Sequence, residues 1–121
     1  MANTESAENY LETILILSKR LPVVRSVDVA TELGFKKSSV SIAMKNLRQK
    51  QHITVTDAGY IYLTDSGREI AEIIYERHQL ISSWLIRLGV PEEIATEDAC
   101  RMEHVISKES FEALKKHVFP S

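Results

Sequence analysis

The sequence predicts a mainly α protein with one small β-hairpin, arranged as a winged helix-turn-helix followed by a helical region. Three observations carry that prediction. Two short amphipathic segments meet at Gly34, a hairpin pattern follows directly, and the rest of the chain returns to helical spacing. The division falls after Thr64, with the winged helix over 1–64 and the helical region over 65–121.

Each element has its own signal. Tyr10, Leu11, Ile14, Leu15 and Leu17 form the apolar face of a first helix over about 6–19, with Ser6 as its N-cap and Pro22 just beyond its end. Ser26 is placed to cap a short helix over 27–33, which Gly34 ends where a left-handed residue is wanted. A third helix runs from Lys37 or Ser38 to Lys50, with Val40, Ala43, Met44 and Leu47 as its stripe. Ile53 and Val55 mark a strand, Asp57-Ala58-Gly59 a turn, and Tyr60 to Leu63 the returning strand. Thr64-Asp65-Ser66-Gly67 caps a long helix reaching Leu88. Gly89 closes it, and Pro91 opens another over about 91–106. Ser107 caps the last helix, about 108–118, and Phe119-Pro120-Ser121 forms a tail.

Trp84, Ile73 and Ile81 exceed what a winged helix alone needs for its core. The later helices therefore predict a dimerisation region, whose spare apolar face is buried against a twin. The alternative is that these side chains fold back within a monomer.

Composition narrows the class. The chain has 121 residues, 44% of them apolar and 26% charged, the proportions of an ordinary globular protein. No apolar run approaches the ~18 residues of a membrane span, and the N-terminus lacks a signal-peptide pattern. One cysteine makes no internal disulfide, which fits a cytoplasmic location. The net charge of −2 divides unevenly: Lys19 to Lys50 carries +6 and the remainder −8. A basic segment on an acidic chain suits a polyanion such as double-stranded DNA, although a solvated helix surface reads the same way. No catalytic signature is present, neither G-x-S-x-G, a Walker loop nor H-E-x-x-H, so no enzyme and no small organic substrate are expected.

The third helix supplies the DNA candidates. Lys36, Lys37, Ser38, Ser39 and Ser41 at its start suit phosphates and base edges. Ile42 suits thymine methyls, and Lys45 suits the flanking backbone. Ser38 has a plainer reading as an N-cap.

The densest donor cluster is Cys100-Arg101-Met102-Glu103-His104. On a helix its thiol, carboxylate and imidazole stand at i, i+3 and i+4, one face a turn apart, as a transition metal requires. Glu and His are also common on helix surfaces, and a lone Cys is often a small buried hydrophobe. His78 interrupts an Ile/Leu stripe, and Asn9 and Glu12 share a face of the first helix. Taken singly, each also fits a bland structural role.

From Ala7-Glu8-Asn9-Tyr10-Leu11-Glu12, through Leu63-Thr64-Asp65-Ser66-Gly67 and Arg77-His78-Gln79-Leu80, to Glu97–Ser107, the chain resembles the diphtheria-toxin-repressor family of metal-dependent transcriptional repressors. The hallmark is a cysteine, or a carboxylate in manganese-type members, three residues before Glu-His, then a hydrophobic pair and Ser. The resemblance implies an N-terminal DNA-binding winged helix, a helical dimerisation and metal-binding region, and a homodimer on an inverted-repeat operator. It implies metal ligands at Asn9, Glu12, His78, Cys100, Glu103 and His104, and control of metal-ion uptake. Asn9 replaces the Asp or Met of the family, and Cys100 the bridging carboxylate of the manganese type. Ser82 and Thr96 stand where the larger iron-type proteins have a further Glu and His. The resemblance is to the short, two-domain kind, or to part of a longer member. The chain's softer donor set points to Fe(II) first and Mn(II) next. Two other classes remain, a winged-helix regulator with a non-metal effector and a winged-helix protein-interaction module.

Overall fold

Leu11, Ile14 and Leu15, three to four residues apart, form the stripe that organises the first half of the computed structural model, which describes residues 2–118. They lie on α1 (Ala2–Arg20), which starts earlier than Ser6, so that serine is inside the helix rather than its cap. The proposed tail at Phe119-Pro120-Ser121 lies outside the described residues. Next come α2 (Ser26–Leu33) and α3 (Lys37–Gln49). Gly34 joins them at φ 69°, a left-handed conformation in which its N–H reaches the Ala30 carbonyl. Arg25, not Ser26, is the N-cap of α2, and its backbone N–H donates to Asp28 Oδ2 at 2.9 Å. Lys36, not Ser38, is the N-cap of α3, without a side-chain cap bond.

The hairpin pairs β1 (Ile53–Val55) antiparallel with β2 (Ile61–Leu63), with Ile53 opposite Leu63 and Val55 opposite Ile61. Ile53 and Ile61 face inward, as alternation requires, and Ile61 N also donates to the Val24 carbonyl at 2.8 Å. Val29, Val40, Met44 and Leu47 complete this core.

α4 (Asp65–Arg87) begins where the Thr64 hydroxyl accepts the Gly67 N–H at 3.2 Å. Gly67 is required there, because a Cβ would collide with the His52 carbonyl oxygen. The chain divides into two compact units, the first ending at Glu72 and the second beginning at Ile73, within α4. In the second, α5 (Glu92–Met102) and α6 (Lys108–Val118) join α4 around Leu80, Ile81, Ala99, Phe111 and Val118, with Trp84 and Leu85 against them. Pro91 is the N-cap of α5 rather than its first turn, and the Ser107 hydroxyl caps α6 by accepting the Ser110 N–H at 3.1 Å.

α5 ends at Met102, four residues before the end expected from the sequence. Glu103 closes it, and residues 104–106 form a tight turn in which Val105 N–H bonds back to the Met102 carbonyl. A continuing helix would give the Glu103 carbonyl to residue 107. Here the Arg77 guanidinium takes it instead, at 3.1 Å.

Candidate metal centre and nucleic-acid interface

The end of α5 is folded back against α4, and that turn gathers the donors. His78 Nδ1 lies 2.9 Å from Glu103 Oε2 and 3.8 Å from Cys100 Sγ. One ligand atom from each of His78, Cys100 and Glu103 falls within 4.8 Å of the other two. His104 joins them from the turn, with Nε2 3.3 Å from Glu103 Oε1. His104 is therefore not on the α5 helix face; the tightened turn carries it beside Glu103.

The electrostatics are those of a site that holds positive charge. The Glu103 side chain is fully buried, and its Oε1 makes no hydrogen bond among the described residues, despite the nearby His104 ring. A buried carboxylate oxygen left this way is costly unless a cation serves it. The Cys100 sulfur first, and the Glu103 carboxylate second, pull the His78 imidazole up from its usual 6.5 to about 10, with burial opposing both. A proton on His78 thus partly fills the cationic role. Thiolate, imidazole and carboxylate together suit a divalent transition metal, so the residues present fit such an ion.

Asn9 and Glu12 lie on α1 in the first unit, Glu12 buried and Asn9 half-buried. Glu12 is not on a solvated edge of the helix, the plainer reading of its place in the sequence. Four of the six proposed ligands, His78, Cys100, Glu103 and His104, are adjacent within the second unit.

The DNA candidates occupy one surface. Lys36, Lys37, Ser38, Ser39, Ser41, Ile42 and Lys45 are all exposed at the start and outer face of α3, while Val40, Met44 and Leu47 bury its opposite face. Ile42 is 63% exposed, which costs apolar hydration unless a partner covers it.

Two arginines escaped the sequence reading. Arg25 stacks over the Tyr60 ring at 4.9 Å and donates to its hydroxyl, tying the wing to the start of α2. Arg77 holds the turn after α5. Arg77 lies in the quoted Arg77-His78-Gln79-Leu80 stretch, but only the preference of buried carbonyls for a donor could have suggested its role, and Arg25 carried no such signal.

Two family descriptions match the chain. The N-terminal DNA-binding domain of the iron dependent repressor covers residues 3–58, and the metal-binding and dimerisation domain covers 64–119. The transcriptional regulator MntR of Escherichia coli O6:H1 is 34% identical over 111 residues, spanning 92% of this chain and 72% of that protein. An uncharacterised helix-turn-helix regulator of Methanocaldococcus jannaschii is 33% identical, over 93% and 91% of the two chains. The structure of the manganese regulator SloR superposes with a TM-score of 0.83 at 26% identity, over 93% of this chain. The chain spans about half the length of that structure. The family is one of transcriptional repressors, not of enzymes. With both family domains matched and a relative at this identity, the chain belongs to the iron-dependent repressor family of metal-dependent DNA-binding regulators.

Proposed function

We propose that this protein is a homodimeric repressor of metal-ion uptake genes, working in the cytoplasm and activated by a divalent metal, Fe(II) first and Mn(II) next. The observation that carries the reading is the buried Glu103 Oε1, which accepts no hydrogen bond among the described residues, within the His78–Cys100–Glu103 cluster. A bound ion would supply the charge and coordination that join these donors. His78 contributes an imidazole nitrogen, Cys100 a thiolate, Glu103 its second carboxylate oxygen and His104 a further imidazole. Asn9 and Glu12 are assigned as further ligands on the family resemblance alone.

Cys100 supports the preference for Fe(II), because thiolate is a soft donor and Mn(II) favours oxygen. The manganese relatives support Mn(II) as the runner-up. The exposed α3 face supports docking in the major groove, with two copies on an inverted repeat. Apolar residues left exposed in the second unit, Ile86, Leu88 and Ile94 among them, support its use for self-association. Metal and DNA then strengthen each other by linkage.

The test is a mobility shift with and without chelator, paired with metal analysis of the purified protein. DNA binding should require Fe(II) or Mn(II), and Glu103→Gln should remove that requirement's benefit altogether. Equal DNA affinity in chelator and in metal would overturn the reading and favour a regulator with a non-metal effector.

A further inference from the structure

We propose that Arg77 is a positioning residue of the metal site, holding the turn that presents Glu103 and His104. Its Nη1 donates to two main-chain carbonyls, Glu103 at 3.1 Å and Ile106 at 2.9 Å. Those carbonyls bracket the tight turn after α5. The terminal nitrogen of a guanidinium carries two hydrogens, one for each acceptor. Its carbon sits 5.5 Å from the centre of the Phe111 ring, which is buried in the core of the second unit.

The arrangement has a specific consequence for Glu103. α4 grips this residue twice, through its backbone by Arg77 and through its side chain by His78. Without Arg77 the Glu103 and Ile106 carbonyls lose their shared donor, and the helix can extend into the turn. Either change moves Glu103 and His104 relative to His78. The cost of the arrangement is visible in Arg77 Nε, a buried donor with no hydrogen-bond partner among the described residues. A lysine or a neutral side chain would avoid that cost but could not span both carbonyls from a stacked, planar group. Partners of this kind, one step removed from a metal, typically change affinity by about 10–100-fold when lost.

The inference rests on reading Glu103 and His104 as metal ligands, and the experiment separates the two claims. Co(II) is titrated into wild type, Arg77→Met, Arg77→Lys and Glu103→Gln, following the cobalt absorption bands. Amide exchange at residues 104–106 is followed in the metal-free proteins. Arg77→Met should weaken Co(II) binding by about 10–100-fold, shift the bands and speed exchange in the turn, with Arg77→Lys intermediate. Should Arg77→Met fail to fold, Arg77→Lys alone decides, by the same band shift and faster exchange. Wild-type bands and affinity in the folded arginine variants would overturn the positioning role. Unchanged binding in Glu103→Gln would instead overturn the ligand assignment, and the positioning role with it.

Discussion

The outer face of α3 and the turn after α5 are both polar, yet they are built in opposite ways. On α3 the serines and lysines are exposed, and among the described residues no hydrogen bond or ion pair to another element holds them. At the turn, Glu103 is buried, His78 bonds it, and Arg77 secures its backbone. The difference matches what each would contact. DNA phosphates are reached by long side chains that can adjust, and most such contacts position rather than specify. A metal ion tolerates little error in donor placement, so its ligands need partners of their own.

The largest expected divergence between the two regions is in pH. In the metal-free protein His78 is raised to about 10, so below that pH its ring holds a proton that a ligand nitrogen must lose. The sign follows: falling pH weakens metal binding, by about tenfold per unit for each proton displaced. Calorimetry of Co(II) binding in buffers of different ionisation enthalpy, between pH 6.5 and 8, should register this proton release. Because the Cys100 sulfur is the leading cause of the shift, Cys100→Ser should lower His78 and reduce the release it contributes. No proton release in wild type would mean that His78 is not a ligand and that the cluster is a static ion pair.

The winged helix was legible because its signals are local. Gly34, the strand alternation and the apolar stripes of α1 and α3 each fix an element within a few residues. The spacing of Cys100, Glu103 and His104 also pointed to the donor cluster, but for a partly mistaken reason. An unbroken helix over 91–106 would place all three on one face, whereas α5 stops at Met102 and His104 arrives through a turn. The cause is Arg77, 26 residues before Glu103, and no local pattern encodes such a contact. The buried state of Glu12 was equally hidden, because a carboxylate between Leu11 and Ile14 reads as the edge of a helix.

Gly67→Ala offers a way to damage the DNA side while leaving the donors of the second unit in place. Within a helix, alanine is favoured over glycine by about 1 kcal/mol. Here the new Cβ would strike the His52 carbonyl, a backbone atom that cannot rotate away. The collision should win, destabilising the first unit by about 1–3 kcal/mol. Thermal unfolding should show the loss, and Co(II) binding by the second unit's donors should change little. An increase in stability would mean that α4 and the hairpin can shift apart freely.

The smallest effects belong to single lysines on α3, and they bear most directly on how that face differs from the donor cluster. Each phosphate neutralised by Lys37 or Lys45 contributes about 0.9 to the slope of log affinity against log salt. Lys37→Ala and Lys45→Ala should each flatten the slope by about one contact per subunit without altering the preferred sequence. Ile42→Ala should do the reverse, leaving the slope in place while relaxing any preference for thymine at the position it covers. Because the face is unbuttressed, the two kinds of change should combine almost additively, unlike paired changes at His78 and Glu103, which share hydrogen bonds. Fluorescence anisotropy on one operator and its single-base variants, at four salt concentrations, would resolve both slopes and preferences. If Lys37→Ala changes sequence preference while leaving the slope untouched, Lys37 reads bases rather than phosphates, and α3 enters the groove in a different orientation.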